Sequence, residues 1–151
     1  MDREAEKPLD VNAEIAEIQS IIRQYAQVVD NDNVDTNLAS QIWSNEGDIS
    51  FIHPRGHECG WEQIKTNFYE KTMRDPFSER KLNIHDVVVH VLKDVAWVEF
   101  YWDFTAKFRS DGSTLTTSGR ESQVYKKSER GWSLVHAHYS GMPVSGERQG
   151  F

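Results

Sequence analysis

The chain has 151 residues, of which 38% are hydrophobic and 27% charged, a balance that suits one folded domain and excludes the disordered and membrane-spanning classes. A formal charge of −7 and a pI near 5.3 oppose binding to nucleic acid or anionic lipid, which select clustered Lys and Arg. A single cysteine, Cys59, excludes an internal disulfide and points to a reducing, cytoplasmic setting.

Residues 1–10 are polar, contain Pro8 and no apolar signal-like run, and read as a loose tail. From Val11 the apolar positions Ile15, Ile18, Ile22, Tyr25, Ala26 and Val29 recur at three-and-four spacing, which predicts one amphipathic helix. Asp30 to Asn33 ends it, because Asn and Asp side chains compete for backbone hydrogen bonds and tolerate left-handed turns. A second, short helix carries Leu38, Ile42 and Trp43. Asp48 to Ile52 alternates as a strand, His53 to Gly60 reads as a turn-forming loop, and a third helix carries Trp61, Ile64, Phe68 and Tyr69 until Arg74-Asp75-Pro76 stops it.

The remainder reads as strand. Leu82 to Val91, Val95 to Phe108, Thr114 to Lys126 and Trp132 to Tyr139 are separated by Lys93-Asp94, by an Asp-Gly hairpin at Asp111-Gly112 and by a turn at Ser128 to Gly131. Four strands joined by short loops make an antiparallel meander, and its apolar face must be covered by the three helices. The domain is expected to span residues 11–143, with 144–151 as a C-terminal tail.

Alternation assigns faces. Val98, Phe100, Trp102 and Phe104 form one wholly apolar row, with Trp97, Glu99, Tyr101 and Asp103 opposite. On the third strand Glu121, Gln123 and Tyr125 share a side. On the last, Trp132, Leu134, His136 and His138 point one way while Val135, Ala137 and Tyr139 point the other.

The ending Gly131 to Pro143 contains Gly-x-Trp, Val-His-x-His and Ser-Gly-x-Pro. With the order of elements, this resembles the SnoaL-like group of the nuclear transport factor 2-like superfamily, in particular the association domain of calcium/calmodulin-dependent kinase II. The resemblance covers about Val11 to Pro143. It implies an α+β fold of the cystatin-like kind, a cone-shaped curved antiparallel sheet packed on three N-terminal helices around a small-molecule pocket. It also implies that Trp102, Gln123 and Tyr139 point inward, because the association domain places arginines at those positions. None is basic here, so a neutral, aromatic-lined cavity is expected. Members of the group include isomerases, dehydratases, cyclases, hydrolases and assembly modules, so the fold does not name a reaction.

Glu121 joins the inward residues by alternation, and a carboxyl desolvated among aromatic rings is suited to proton transfer near neutral pH. Glu121, His53 and Tyr139 are therefore the candidate acid–base groups, with no cofactor and no metal. Tyr25, Trp43, His57, Phe100, Trp102 and Gln123 are the candidate ligand contacts. Two other readings stand beside this one. The cavity could be vestigial in an assembly module; with either use of the cavity, the chain is expected to pair as a homodimer through an outer face of Trp97, Tyr101, Trp132, His136 and His138. Alternatively, His136 and His138 could chelate a metal with Glu99, although two adjacent ligands fall short of a site.

Overall fold

A computed structural model describes residues 10–144. The two expected tails therefore lie outside the described residues, apart from Asp10, which caps the first helix, and the exposed Val144. Helix α1 (Val11–Val29) begins where the Asp10 carboxylate accepts the Ala13 N–H at 3.2 Å. It buries Ile18, Ile22, Tyr25, Val28 and Val29. Helix α2 (Thr36–Ile42) is capped likewise, Asp35 accepting from the Leu38 N–H at 3.0 Å. Between them Asn31 takes φ 73°, the left-handed conformation that Asn tolerates.

The third helix is not the α-helix that the apolar spacing suggested. After a single turn, α3 (Trp61–Gln63), the chain continues as a π-helix over Ile64–Arg74. The Thr72 hydroxyl donates to the Asn67 carbonyl and the Asp75 N–H to the Glu70 carbonyl, both five residues back. At about 4.4 residues per turn, Ile64, Phe68, Tyr69 and Met73 come to one side, where an α-helical repeat would let the stripe drift.

Six strands form one sheet in the order β2-β1-β6-β5-β4-β3. They are β1 (Ser50–His53), β2 (Gly56–Cys59), β3 (Phe77–Leu92), β4 (Val95–Phe108), β5 (Thr114–Ser128) and β6 (Gly131–Gly141). The expected meander is β3 to β6. The segment read as a loop, His53 to Gly60, is instead half of a tight hairpin: β1 and β2 pair around the two-residue turn Pro54-Arg55. β1 also pairs with β6 in parallel, so the sheet is mixed. The sheet is curved and unclosed, with the helices on its concave side.

Trp132 is a correction to the face assignment. Tyr125 pairs with Leu134 and Val124 with His136, so Val135 is an extra residue that bulges out of the ladder. Before the bulge the phase is inverted. Trp132 and Leu134 turn into the core with Ala137, and the Trp132 indole N–H donates to Glu14 of α1. His136 and His138, after the bulge, lie on the outer side of the sheet.

One buried cation ties the helices to the sheet. Arg80, 3% exposed, donates from Nε to the Val29 carbonyl at 2.8 Å, from Nη1 to Phe77 and Met73, and from Nη2 to Asn31. It thereby serves carbonyls at the end of α1, near the end of the π-helix and at the start of β3, groups that a helix cannot satisfy itself.

Candidate functional site

The concave face of β4 to β6, the π-helix and the end of α1 enclose a cavity of about 500 Å³, within the size range of small-molecule sites. Its wall is mostly apolar. Val29, Phe68, Met73, Phe77, Leu82, Phe104, Phe108 and Leu115 supply the hydrophobic part, and Tyr25, Tyr69, Glu121, Tyr139, Trp102 and Arg55 the polar part.

Glu121 on β5 is 7% exposed. Loss of hydration disfavours its charged form and pushes its pKa up to about 7, against which Tyr25 and Gln123 favour the carboxylate. Its Oε2 accepts from Gln123 Nε2 at 2.7 Å, and the Gln123 carbonyl oxygen in turn accepts from the Tyr125 hydroxyl at 2.5 Å. The Tyr125 proton thus fixes which way the Gln123 amide points, and so presents a donor to Glu121.

The tyrosines around this carboxyl stay protonated. Burial raises the pKa values of Tyr25, Tyr69, Tyr125 and Tyr139, and the Glu121 charge pushes each in the same direction. The Tyr69 oxygen accepts the Trp43 indole N–H at 2.9 Å, which leaves its own proton to be donated. Tyr139 stands edge-on to Trp102, ring centroids 5.5 Å apart. The Trp102 indole nitrogen is buried without a hydrogen-bond partner among the described residues.

Of the nine residues singled out from sequence, Tyr25, Trp102, Glu121 and Tyr139 meet at this cavity. The other five do not line it. Trp43 is 2% exposed and lies against Phe51, held by its bond to Tyr69. Phe100, 2% exposed, is core packing. Gln123 is wholly buried and acts on Glu121 rather than on cavity space. His57 is exposed on β2, with Cys59 Sγ 3.7 Å away. His53 is 6% exposed, packs against Phe51, Phe68 and Tyr139, and has Nε2 3.9 Å from Glu58. Burial lowers its pKa, although Glu58 acts the other way.

Sequence reasoning missed Tyr69 and the Phe77-Phe104-Phe108 cluster. Phe104 was within reach, two residues beyond Trp102 on the same face. Tyr69 was not, because its role depends on Trp43, 26 residues away. On the outer face, the His136 ring nitrogen shares a hydrogen bond with Ser50 Oγ at 2.7 Å. Among the described residues no three His, Cys, Asp or Glu side chains converge as metal ligands, so the metal reading lacks its third ligand.

The curved sheet, the helices on its concave side and the cavity between them define a cone-shaped α+β domain. A family model described as SnoaL-like domain matches residues 18–145, and the chain belongs to that family, within the nuclear transport factor 2-like superfamily. A superfamily protein from Salmonella enterica serovar Typhimurium LT2 is 42% identical; the match covers 93% of this chain and 99% of that one, with a TM-score of 0.88. Two more distant structures share the fold. A hexachlorocyclohexane dehydrochlorinase (LinA) type 2 is 14% identical, over 93% of this chain and 95% of its own, with a TM-score of 0.77. The association domain of Caenorhabditis elegans CaMKII is 19% identical, over 85% and 98%, with a TM-score of 0.62. Among curated proteins no sequence gives a significant match.

Proposed function

We propose that this SnoaL-like domain binds a small, largely apolar molecule and moves a proton on it, with Glu121 as the acid–base group and no cofactor. The observation that carries the reading is a single carboxyl among the described residues of a mostly apolar wall, raised to about pKa 7 by its burial there. A group poised there is half ionised near neutrality, so it can both take and return a proton. In an isomerisation, Glu121 would lift a proton from one carbon and return it to another. In a dehydration, the lifted proton would leave with hydroxide as water. Negative charge developing on a substrate oxygen would be met by the protonated hydroxyls of Tyr139 and Tyr69 on the cavity wall. The fold neighbour named as a dehydrochlorinase supports elimination chemistry as one option for such a cavity.

Glu121 is expected to titrate near pH 7 by carbon-detected NMR. A midpoint at the ordinary carboxylate value of 4.5 would remove the case for proton transfer.

A second reading, a homodimer paired through the outer sheet face, rests on a separate observation. Trp97 is 45% exposed, Tyr101 41% and Val88 50%, on neighbouring strands. His90 stacks on Trp97 at 4.8 Å and His85 on Tyr101 at 6.2 Å, which makes a flat aromatic surface. Trp132, placed there by sequence, is not part of it. The fold neighbour named as an association domain supports assembly as a use of this architecture. Wild-type protein should sediment as a dimer at micromolar concentration and Trp97→Asp as a monomer, given an interface of standard size, about 1,600 Å². A stable wild-type monomer would sink the dimer. No helix among the described residues is long and apolar enough to cross a membrane, and the lone, exposed Cys59 supports a reducing compartment such as the cytoplasm.

A further inference from the structure

Among the described residues that line the cavity, Arg55 is the one cation. It sits at the tip of the β1-β2 hairpin, where the pair His53 and Gly56 leaves a two-residue turn, Pro54-Arg55. That turn is braced. Pro54 fixes its own φ, and the Arg55 N–H donates to His53 Nδ1 at 3.3 Å, the imidazole itself being buried. A Cβ at Gly56 would fall 2.8 Å from Glu58 Oε1, so a side chain there would require the end of the Glu58 side chain to move.

Among the described residues only Arg74, Lys81, Lys107 and Lys127 of the Lys and Arg side chains join ion pairs, so what sets Arg55 apart is its place on the cavity wall. The Arg55 guanidinium joins no ion pair among the described residues. It is exposed and still borders the cavity, which places it at the mouth. Elsewhere on the wall, Phe77 lies 5.7 Å from Phe104 and 5.2 Å from Phe108, centroid to centroid, a surface for a flat ring system. Among the described residues of the wall the one carboxyl is Glu121, which repels an anion when ionised. A ligand with an apolar body and one anionic group is therefore oriented, its anion drawn to the mouth and away from Glu121.

We propose that the cavity takes an aromatic or alicyclic carboxylic acid, with its rings against Phe77, Phe104 and Phe108 and its carboxylate paired with the Arg55 guanidinium. The planar fork of Arg matches a carboxylate in a bidentate pair. This amends the expectation of a neutral cavity: the association domain's pocket arginines are missing, but a cation reaches the cavity from a different element. The inference rests on the reading of the cavity as a small-molecule site.

The test uses 2-naphthoate and its neutral isostere 2-naphthamide as probes, titrated calorimetrically at about pH 6, where Glu121 is mostly protonated. Wild-type protein should prefer the naphthoate by about fivefold, a modest factor because the mouth is solvated. Arg55→Ala should abolish the preference and leave naphthamide affinity within about twofold, and Arg55→Lys should restore part of it. Equal affinity of wild type for both probes, or a preference that survives in Arg55→Ala, overturns this inference and leaves the small-molecule reading standing. Failure of both probes to bind wild type overturns the two together.

Discussion

Gly119→Ala should unfold or severely destabilise the protein, while Gly141→Ala, its direct cross-strand partner, should have almost no effect. Gly119 is buried on β5 opposite Trp102 of β4 and Gly141 of β6. A Cβ at 119 would stand 2.1 Å from the Ser140 carbonyl oxygen and 2.2 Å from Trp102 Cζ2. The first contact is with backbone held in a ladder, so a side-chain rotation cannot relieve it. The second drives the indole toward the cavity. Overpacking of this kind costs about 3 kcal/mol or more when both neighbours are fixed, which is roughly a 10 °C loss in melting temperature for a domain of this size. At Gly141 a Cβ would meet nothing nearer than Ser118 O at 4.0 Å, ordinary contact. Thermal denaturation of the two variants checks the contrast, and equal stability would show that β5 and β6 can separate at this point. Any folded fraction of Gly119→Ala should also bind ligand poorly, because Trp102 would occupy cavity space.

The part of this arrangement that was legible in the sequence is the part set by local period. The stripe on α1 follows from Ile18, Ile22, Tyr25 and Val29, and alternation puts Glu121 on the side of Gln123 and Tyr125, the side that the resemblance to the SnoaL-like group implied to be inward. What was illegible depends on a single residue or on distant pairing. Val135, one extra residue in β6, inverts the phase of Trp132 and Leu134, and nothing in an alternating apolar run marks where such an insertion falls. The positions read from sequence, Trp61, Ile64, Phe68 and Tyr69, span too few turns to tell an α repeat from a wider one, so the widening that brings Met73 onto the cavity beside Phe68 and Tyr69 could not be read. Parallel pairing of β1 with β6 joins segments some 86 residues apart, which no local signal encodes. The same limit explains Trp43: its apolar surroundings were visible, but its bond to Tyr69, and hence its role behind the wall, was not.

Replacing Glu121 with Gln should reduce turnover of any substrate found for this cavity by about a hundredfold or more, the usual contribution of a positioned acid or base. Ligand binding should survive. Gln keeps the shape of the side chain and can still accept from Gln123, so the cavity keeps its outline while losing its exchangeable proton. A pH profile separates this from a structural effect. If the carboxylate acts as the base, wild-type kcat/KM rises with pH through about 7; if the protonated carboxyl acts as the acid, it falls through the same value. In either case the variant loses that inflection. Stability supplies a second, independent reading. The folded-state pKa of Glu121 lies above its unfolded value near 4.5, so the unfolded chain ionises first, and the folded state loses stability as pH rises from 4.5 to 7. The penalty is complete above pH 7, absent below 4.5, and on the order of 3 kcal/mol. Gln cannot ionise, so the variant should be more stable than wild type above pH 7, with the difference vanishing toward pH 4.5. Unchanged turnover would remove Glu121 from the chemistry even if the stability difference appeared. Loss of turnover without that difference would mean that the carboxylate is held charged in the fold, and acts by attracting the substrate's developing positive charge instead of by transferring a proton.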